Sequence, residues 1–175
     1  MKIAQLAPHY NPVMPNSNKA IYSHVAWLCN GLIDLGNDVS LFASGDSETK
    51  AKLNSVYPTA VNKSDMTDSQ KKLYLDLLIS ECYRRAEEFD IIHSHFTLVS
   101  SFYSRINGNL TVQSIHSPVE EHTKSILRKF KDNNYISFSL AQRKVMPELN
   151  WVANIYHGID TEIFSFNPDP KPYLL

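Results

Sequence analysis

Residues 89–118, Phe89-Asp90-Ile91-Ile92-His93-Ser94-His95-Phe96-Thr97-Leu98-Val99-Ser100-Ser101-Phe102-Tyr103-Ser104-Arg105-Ile106-Asn107-Gly108-Asn109-Leu110-Thr111-Val112-Gln113-Ser114-Ile115-His116-Ser117-Pro118, read as strand, helix, strand. Asp90 to His95 is short, apolar and β-branched, and a helical segment follows to about Asn107. Asn107-Gly108-Asn109 is a turn signal, and Leu110 to Ile115 is a second apolar run. Two buried strands joined by a helix run parallel, because parallel strands need a crossover connection. Their C-terminal ends therefore emerge on one edge of the sheet, where open α/β sheets bind ligands. His93, His95 and His116 gather at that edge.

Working outward, Lys2 to Ala7 reads as a first strand. Residues 8–18 hold Pro8, Pro12 and Pro15 and then turn formers, which excludes regular structure. Ser17 or Asn18 suits the cap of the next helix, whose stripe Ile21, Val25, Leu28, Leu32 and Leu35 would face a sheet. Gly36-Asn37 ends that helix, and Val39 to Ala43 is the second strand. Leu53 to Tyr57 is a weaker third strand, and a long helix spans about Ser69 to Glu88 through Leu75, Ile79, Cys82, Ala86 and Phe89. Beyond the opening stretch, Ser117 suits an N-cap, Pro118 the first helical position and Glu120 the capping-box acid. Tyr135 to Phe138 is a strand, Ser139 to Val145 a short helix and Trp151 to Tyr156 a last strand. About seven strands alternating with about six helices define a doubly wound parallel α/β sheet. Residues 166–175 have linker composition and end in the apolar Tyr173-Leu174-Leu175, as a second domain would begin.

The chain has 175 residues, 43% of them hydrophobic, and a formal net charge of -1. That is enough for one domain with its own core. The balanced charge argues against nucleic acid or an anionic membrane as the main partner. No apolar run reaches the roughly 18 residues of a membrane span. Peripheral membrane association stays open. Cys29 and Cys82 both fall in helical patterns and read as buried free thiols, which fits a reducing, cytoplasmic setting. There is no Asp-x-Asp pair, no Gly-x-Gly-x-x-Gly after a strand and no Gly-x-Ser-x-Gly elbow, which weakens metal-diphosphate, dehydrogenase and hydrolase readings.

Six segments in order carry a family resemblance: Lys2 to Pro8, Leu41 to Ser47, Phe89 to His95, Ser114 to Pro118, Ser137 to Arg143, and His157-Gly158-Ile159-Asp160. The chain resembles the N-terminal domain of retaining, nucleotide-sugar-dependent glycosyltransferases of the GT-B fold (the family 4-like, group 1 glycosyltransferases). The resemblance implies a Rossmann-like acceptor-side domain over 1–165, with a C-terminal donor-binding domain beginning past a linker at 166–175. It implies a nucleotide diphosphate sugar as co-substrate, a hydroxyl acceptor, and neither metal nor other cofactor. It also implies that His116 meets the donor sugar or its phosphate. The family's Gly-Gly pair after the first strand, which lets a helix N-terminus approach the diphosphate, falls on Lys19-Ala20 here.

Each candidate also has a plainer reading. His116 is a strand-end histidine that orients a donor or merely occupies a polar loop. His93 and His95 share a strand face. With His116 they would compose a three-histidine zinc site, although no carboxylate or cysteine completes the set; otherwise His93 is packed and hydrogen-bonded, and His95 lines the cleft. Asn16, Ser17, Asn18 and Lys19 form a phosphate-binding helix start or an ordinary cap. Arg143 faces the cleft or solvent. His157, Gly158 and Asp160 turn the chain into the interdomain crevice. Three functions follow: a transferase domain, a non-catalytic binding or regulatory domain in which Lys19-Ala20 has replaced Gly-Gly, or a zinc hydrolase.

Overall fold

The computed structural model describes residues 1–95, 97–107, 110–161 and 168. Seven strands form one sheet: β1 Lys2–Leu6, β2 Asp38–Phe42, β3 Lys52–Asn54, β4 Ile91–Ser94, β5 Thr111–Ser114, β6 Asn134–Ser137 and β7 Trp151–Asn154. Five α-helices accompany them among the described residues: α1 Ala20–Asp34, α2 Asp68–Arg84, α3 Thr97–Asn107, α4 Glu121–Leu127 and α5 Leu140–Val145. The strand order is β3-β2-β1-β4-β5-β6-β7, and every neighbouring pair is parallel. The doubly wound, Rossmann-like class read from the sequence is the fold.

Five of the six connections carry a helix. The β2–β3 connection does not, because Ser44-Gly45-Asp46-Ser47 turns the chain and Ser44 and Ser47 bond each other's hydroxyls at 3.1 Å. The turn expected at 107–109 lies outside the described residues beyond Asn107. The linker and new strand expected at 166–175 lie outside them apart from Pro168.

The core lies on both faces of the sheet. On one, Ala4, Leu6, Phe42 and Ile92 meet Leu75, Leu78, Ile79, Cys82 and Tyr83 of α2. On the other, Ala7, Val39, Leu41 and Ala43 meet Tyr22, Val25, Ala26 and Cys29 of α1. A third cluster, Ile115, Leu127, Tyr135, Met146 and Leu149, holds the β5–β7 half. Both cysteines are free and buried, and burial raises both thiols to about 12.

Several boundaries differ from the sequence reading. Helix α1 starts at Ala20, so its cap is Lys19 and not Ser17 or Asn18. Ser17 Oγ reaches only the Lys19 N–H, at 3.3 Å, and the Lys19 carbonyl accepts from Tyr22 and Ser23. The buried stripe of α1 runs through Tyr22, Val25, Ala26 and Cys29, and Leu35 is 81% exposed. Small Ala26 and Cys29 let the helix approach the sheet, while Leu28 and Leu35 lie on another side, over 155–160. Strand β3 is shorter and earlier than expected, ending at Asn54. Helix α2 ends at Arg84, and Ala86–Glu88 forms a single 3-10 turn. Helix α4 starts at Glu121, without a Ser117 capping box or any side-chain cap. Val119 packs on the third cluster, and Glu120 is extended, with φ -76° and ψ 156°.

Candidate functional site

The strand order reverses between β1 and β4, which makes that junction the topological switch point. Chain leaves β1 into Ala7-Pro8 and β4 into His95, whose N–H donates to the Leu6 carbonyl at 2.9 Å. Next along the edge, β5 leads to His116, β6 to Phe138 and β7 to His157. From above, the first turns of α1 bring His24 onto the same edge.

Five imidazoles meet there. Ring centroids lie 4.4 Å apart for His93–His95, 5.1 Å for His95–His116 and 5.7 Å for His116–His157. His24 stands 4.4 Å from His157, 5.6 Å from His116 and 6.1 Å from His95. Phe138 closes the group, 3.9 Å from His157 and 4.7 Å from His116.

Hydrogen bonds order the inner rings. His93 Nε2 is 2.8 Å from Ser114 Oγ, His95 Nε2 is 2.9 Å from Gln5 Oε1, and His95 Nδ1 is 2.8 Å from His116 Nε2. Burial first, and neighbouring imidazoles second, lower His24 and His93 to about 4 and His116 to about 3. His95, 4% exposed, is depressed well below its ordinary value by burial and then by His93 and His116. The more open His157 is lowered by burial alone. The edge is therefore an uncharged, hydrogen-bonding surface at neutral pH.

Two cavities flank His116. One of about 380 Å³ is walled by Pro8, Ile21, Leu98, Val99, Val119 and Leu127, with His95 at its base. The other, about 460 Å³, lies between Phe138, Val145 and His157. Both share Ile115, His116, Ser117, Pro118 and Val119, so the loop expected to be a helix start is instead their common wall. Apolar walls with a few convergent polar groups are the usual make-up of small-molecule sites.

Of the residues singled out in the sequence, His95, His116 and His157 come together. His93 is packed beneath them and bonded to Ser114. Gly158 and Asp160 lie further out, lining a cavity of about 600 Å³ with Leu28 and Leu32 of α1 and Leu35 just after it. Asn16, Ser17, Asn18 and Lys19 lead into α1, one turn before His24; Asn16, Asn18 and Lys19 are exposed. Arg143 turns towards the far edge of the sheet: its Nε donates to Ser137 Oγ at 2.8 Å, and its guanidinium lies 6.0 Å from the Trp151 ring. His24, Gln5 and Phe138 were missed. A glutamine between Ala4 and Leu6 in a central strand was the available signal, since a buried amide needs a partner. His24 falls three residues after Ile21 and four before Leu28, but only the topology brings that helix face to the strand ends.

Among the described residues no three His, Cys, Asp or Glu side chains are arranged to hold a metal ion. Histidine ring nitrogens point at one another, at Ser114 and at Gln5. Nor is any helix among the described residues long and apolar enough to cross a membrane.

The fold is a doubly wound α/β domain whose clustered histidines stand at the switch point. Among solved structures it is similar to Anabaena Alr3699/HepE in complex with UDP-glucose, with a TM-score of 0.55 and 17% identity. It is also similar to the same protein in complex with UDP, with a TM-score of 0.50 and 19% identity. Both matches cover 96% of this chain and 47% of the other, so the chain spans about half the length of those structures. At such identities the likeness shows the fold. No protein-family model and no curated sequence matches the chain.

Proposed function

We propose that this chain is the acceptor-side domain of a retaining glycosyltransferase, which moves a sugar from a nucleotide diphosphate sugar to a hydroxyl without a metal cofactor. A second domain, of the kind the family resemblance implies, would supply most donor contacts. The observation that carries the reading is the neutral histidine edge at the switch point, with His116 between two apolar-walled cavities. The shared fold with a protein solved in complex with UDP-glucose supports it, as do the six ordered sequence segments.

In this reading His116 orients the sugar. The resemblance leaves two roles for it, holding a sugar hydroxyl or stabilising the departing diphosphate. Geometry favours the first, because the ring is neutral and its Nε2 is engaged by His95. Orientation of one reactant relative to another lowers the barrier without the group itself reacting. Exclusion of water by Phe138 and the apolar walls would protect the transfer from hydrolysis. Lys19, exposed at the head of α1, would meet the diphosphate where the family has glycines.

The test is to join this chain to a C-terminal donor-binding domain of the kind the family resemblance implies and assay nucleoside diphosphate release from a panel of nucleotide sugars. Acceptor-dependent release supports the reading; no consumption of any nucleotide sugar rejects it. Lys19-Ala20 in place of Gly-Gly favours the second reading, a binding domain of the same fold, which predicts nucleotide-sugar binding without turnover.

A further inference from the structure

We infer that Gln5 is a positioning residue, setting through His95 which nitrogen of His116 carries the proton and which one faces a ligand. Gln5 is completely buried in β1, between Ala4 and Leu6. A buried amide in a central strand is costly unless it is used. Its Oε1 lies 2.9 Å from His95 Nε2. A carbonyl oxygen only accepts, so His95 Nε2 bears the hydrogen. A neutral imidazole has one N–H, which leaves His95 Nδ1 bare. That nitrogen is 2.8 Å from His116 Nε2. Two bare nitrogens do not sit at hydrogen-bonding distance, so His116 Nε2 donates. His116 Nδ1 is then bare, and it has no hydrogen-bond partner among the described residues.

The chain His116 to His95 to Gln5 thus runs in one direction, each donor pointing deeper into the sheet. What His116 offers a ligand is an acceptor, suited to a hydroxyl and repelled by a phosphate oxygen. Gln5 Nε2 is the one loose end, buried without a partner. Turning that amide over would reverse every donor in the chain and make His116 Nδ1 an N–H. The amide orientation of a residue remote from the groove therefore decides the polarity of the group at its mouth. The service to transfer rests on the reading proposed above; the tautomers do not.

The experiment is ¹⁵N NMR of the histidine rings in the 175-residue chain, which separates protonated from bare ring nitrogens without any activity. Wild type is expected to show His95 and His116 both as Nε2–H tautomers. Gln5→Met, close in volume and without an acceptor, should convert both rings to tautomer mixtures. Gln5→Glu, which only accepts when ionised, should keep Nε2–H and shift the His95 titration upward, because the carboxylate favours imidazolium. An Nδ1–H tautomer at either ring in wild type overturns the inference, as do unchanged tautomers in folded Gln5→Met. If Gln5→Met does not fold, Gln5→Glu decides: an Nδ1–H ring or an unmoved His95 titration overturns it. Loss of transfer with tautomers as expected would count against the transferase reading alone.

Discussion

His95 Nδ1 and His116 Nε2 stand 2.8 Å apart, and among the described residues no carboxylate offsets the burial of these two rings. Two consequences follow, one for stability and one for chemistry. Folded, His93 stays neutral down to about 4 and His116 to about 3, and His95 is depressed well below its ordinary value. Unfolded, they take up protons near the ordinary value of 6.5. Between these values the unfolded chain binds more protons, so acid favours unfolding. The contribution is fully present above about pH 6.5 and is lost as pH falls towards 4. Each ring protonated only when unfolded adds a slope on the order of 1.4 kcal/mol per pH unit. Thermal melts at successive pH values should show Tm falling steeply from pH 6.5 to 5. His24→Leu should flatten that fall, and His122→Ala, an exposed control, should not. A flat Tm over this interval would contradict the neutral cluster.

Thr67 Oγ1 accepts from Gln70 N at 3.3 Å, and Gln70 Oε1 accepts from Thr67 N at 2.9 Å, a reciprocal cap at the head of α2. Thr67→Ala should cost about 1 kcal/mol in denaturant unfolding. It should leave the titrations of His93, His95 and His116 unchanged, since α2 packs on the opposite sheet face.

Gly45 sits where a Cβ would come within 2.7 Å of the Pro58 carbonyl oxygen and 2.9 Å of its Cα. These are backbone atoms, also tied by the Gly45 N–H to the Tyr57 carbonyl at 3.0 Å. Gly45→Ala should therefore destabilise by about 1–3 kcal/mol. Unchanged stability in a denaturant titration would mean that the loop after β2 yields easily.

The sheet was legible because period and punctuation agreed: short β-branched runs, each closed by a turn, alternate with amphipathic stretches. Helix starts were less legible. Ser117-Pro118-Val119-Glu120 satisfies the local rule for a capping box, yet Val119 is drawn into the third core cluster and the helix begins only at Glu121. Local propensity lost to packing there. Thr67-Asp68-Ser69-Gln70 is the reverse case, a capping box that was present and not read. At the site, the strand-end histidines were readable from one stretch, because alternation and parallel pairing place them. Gln5 and His24 were not, since their proximity depends on β1 pairing with β4 and on which side α1 lies.

Lys19 caps α1 and makes no ion pair among the described residues. If it meets the donor diphosphate, Lys19→Ala in the two-domain protein proposed above should weaken nucleotide-sugar binding severalfold at low salt. The difference should shrink at high salt, where exposed charges are screened. Calorimetric titration at the two ionic strengths checks this; equal affinities for wild type and variant at low salt would remove Lys19 from the donor site.

His116 is the group on which the functional reading turns. The most direct test is acceptor-dependent release of nucleoside diphosphate from a nucleotide sugar, UDP-glucose first, by the two-domain protein and its His116→Ala variant. A group that orients a hydroxyl through one hydrogen bond acts in the transition state as well as in binding. The variant should therefore lose about tenfold in kcat, the scale of one such bond, with a smaller change in KM. Consumption of nucleotide sugar at the wild-type kcat by the alanine variant, or none by either protein, would contradict the account.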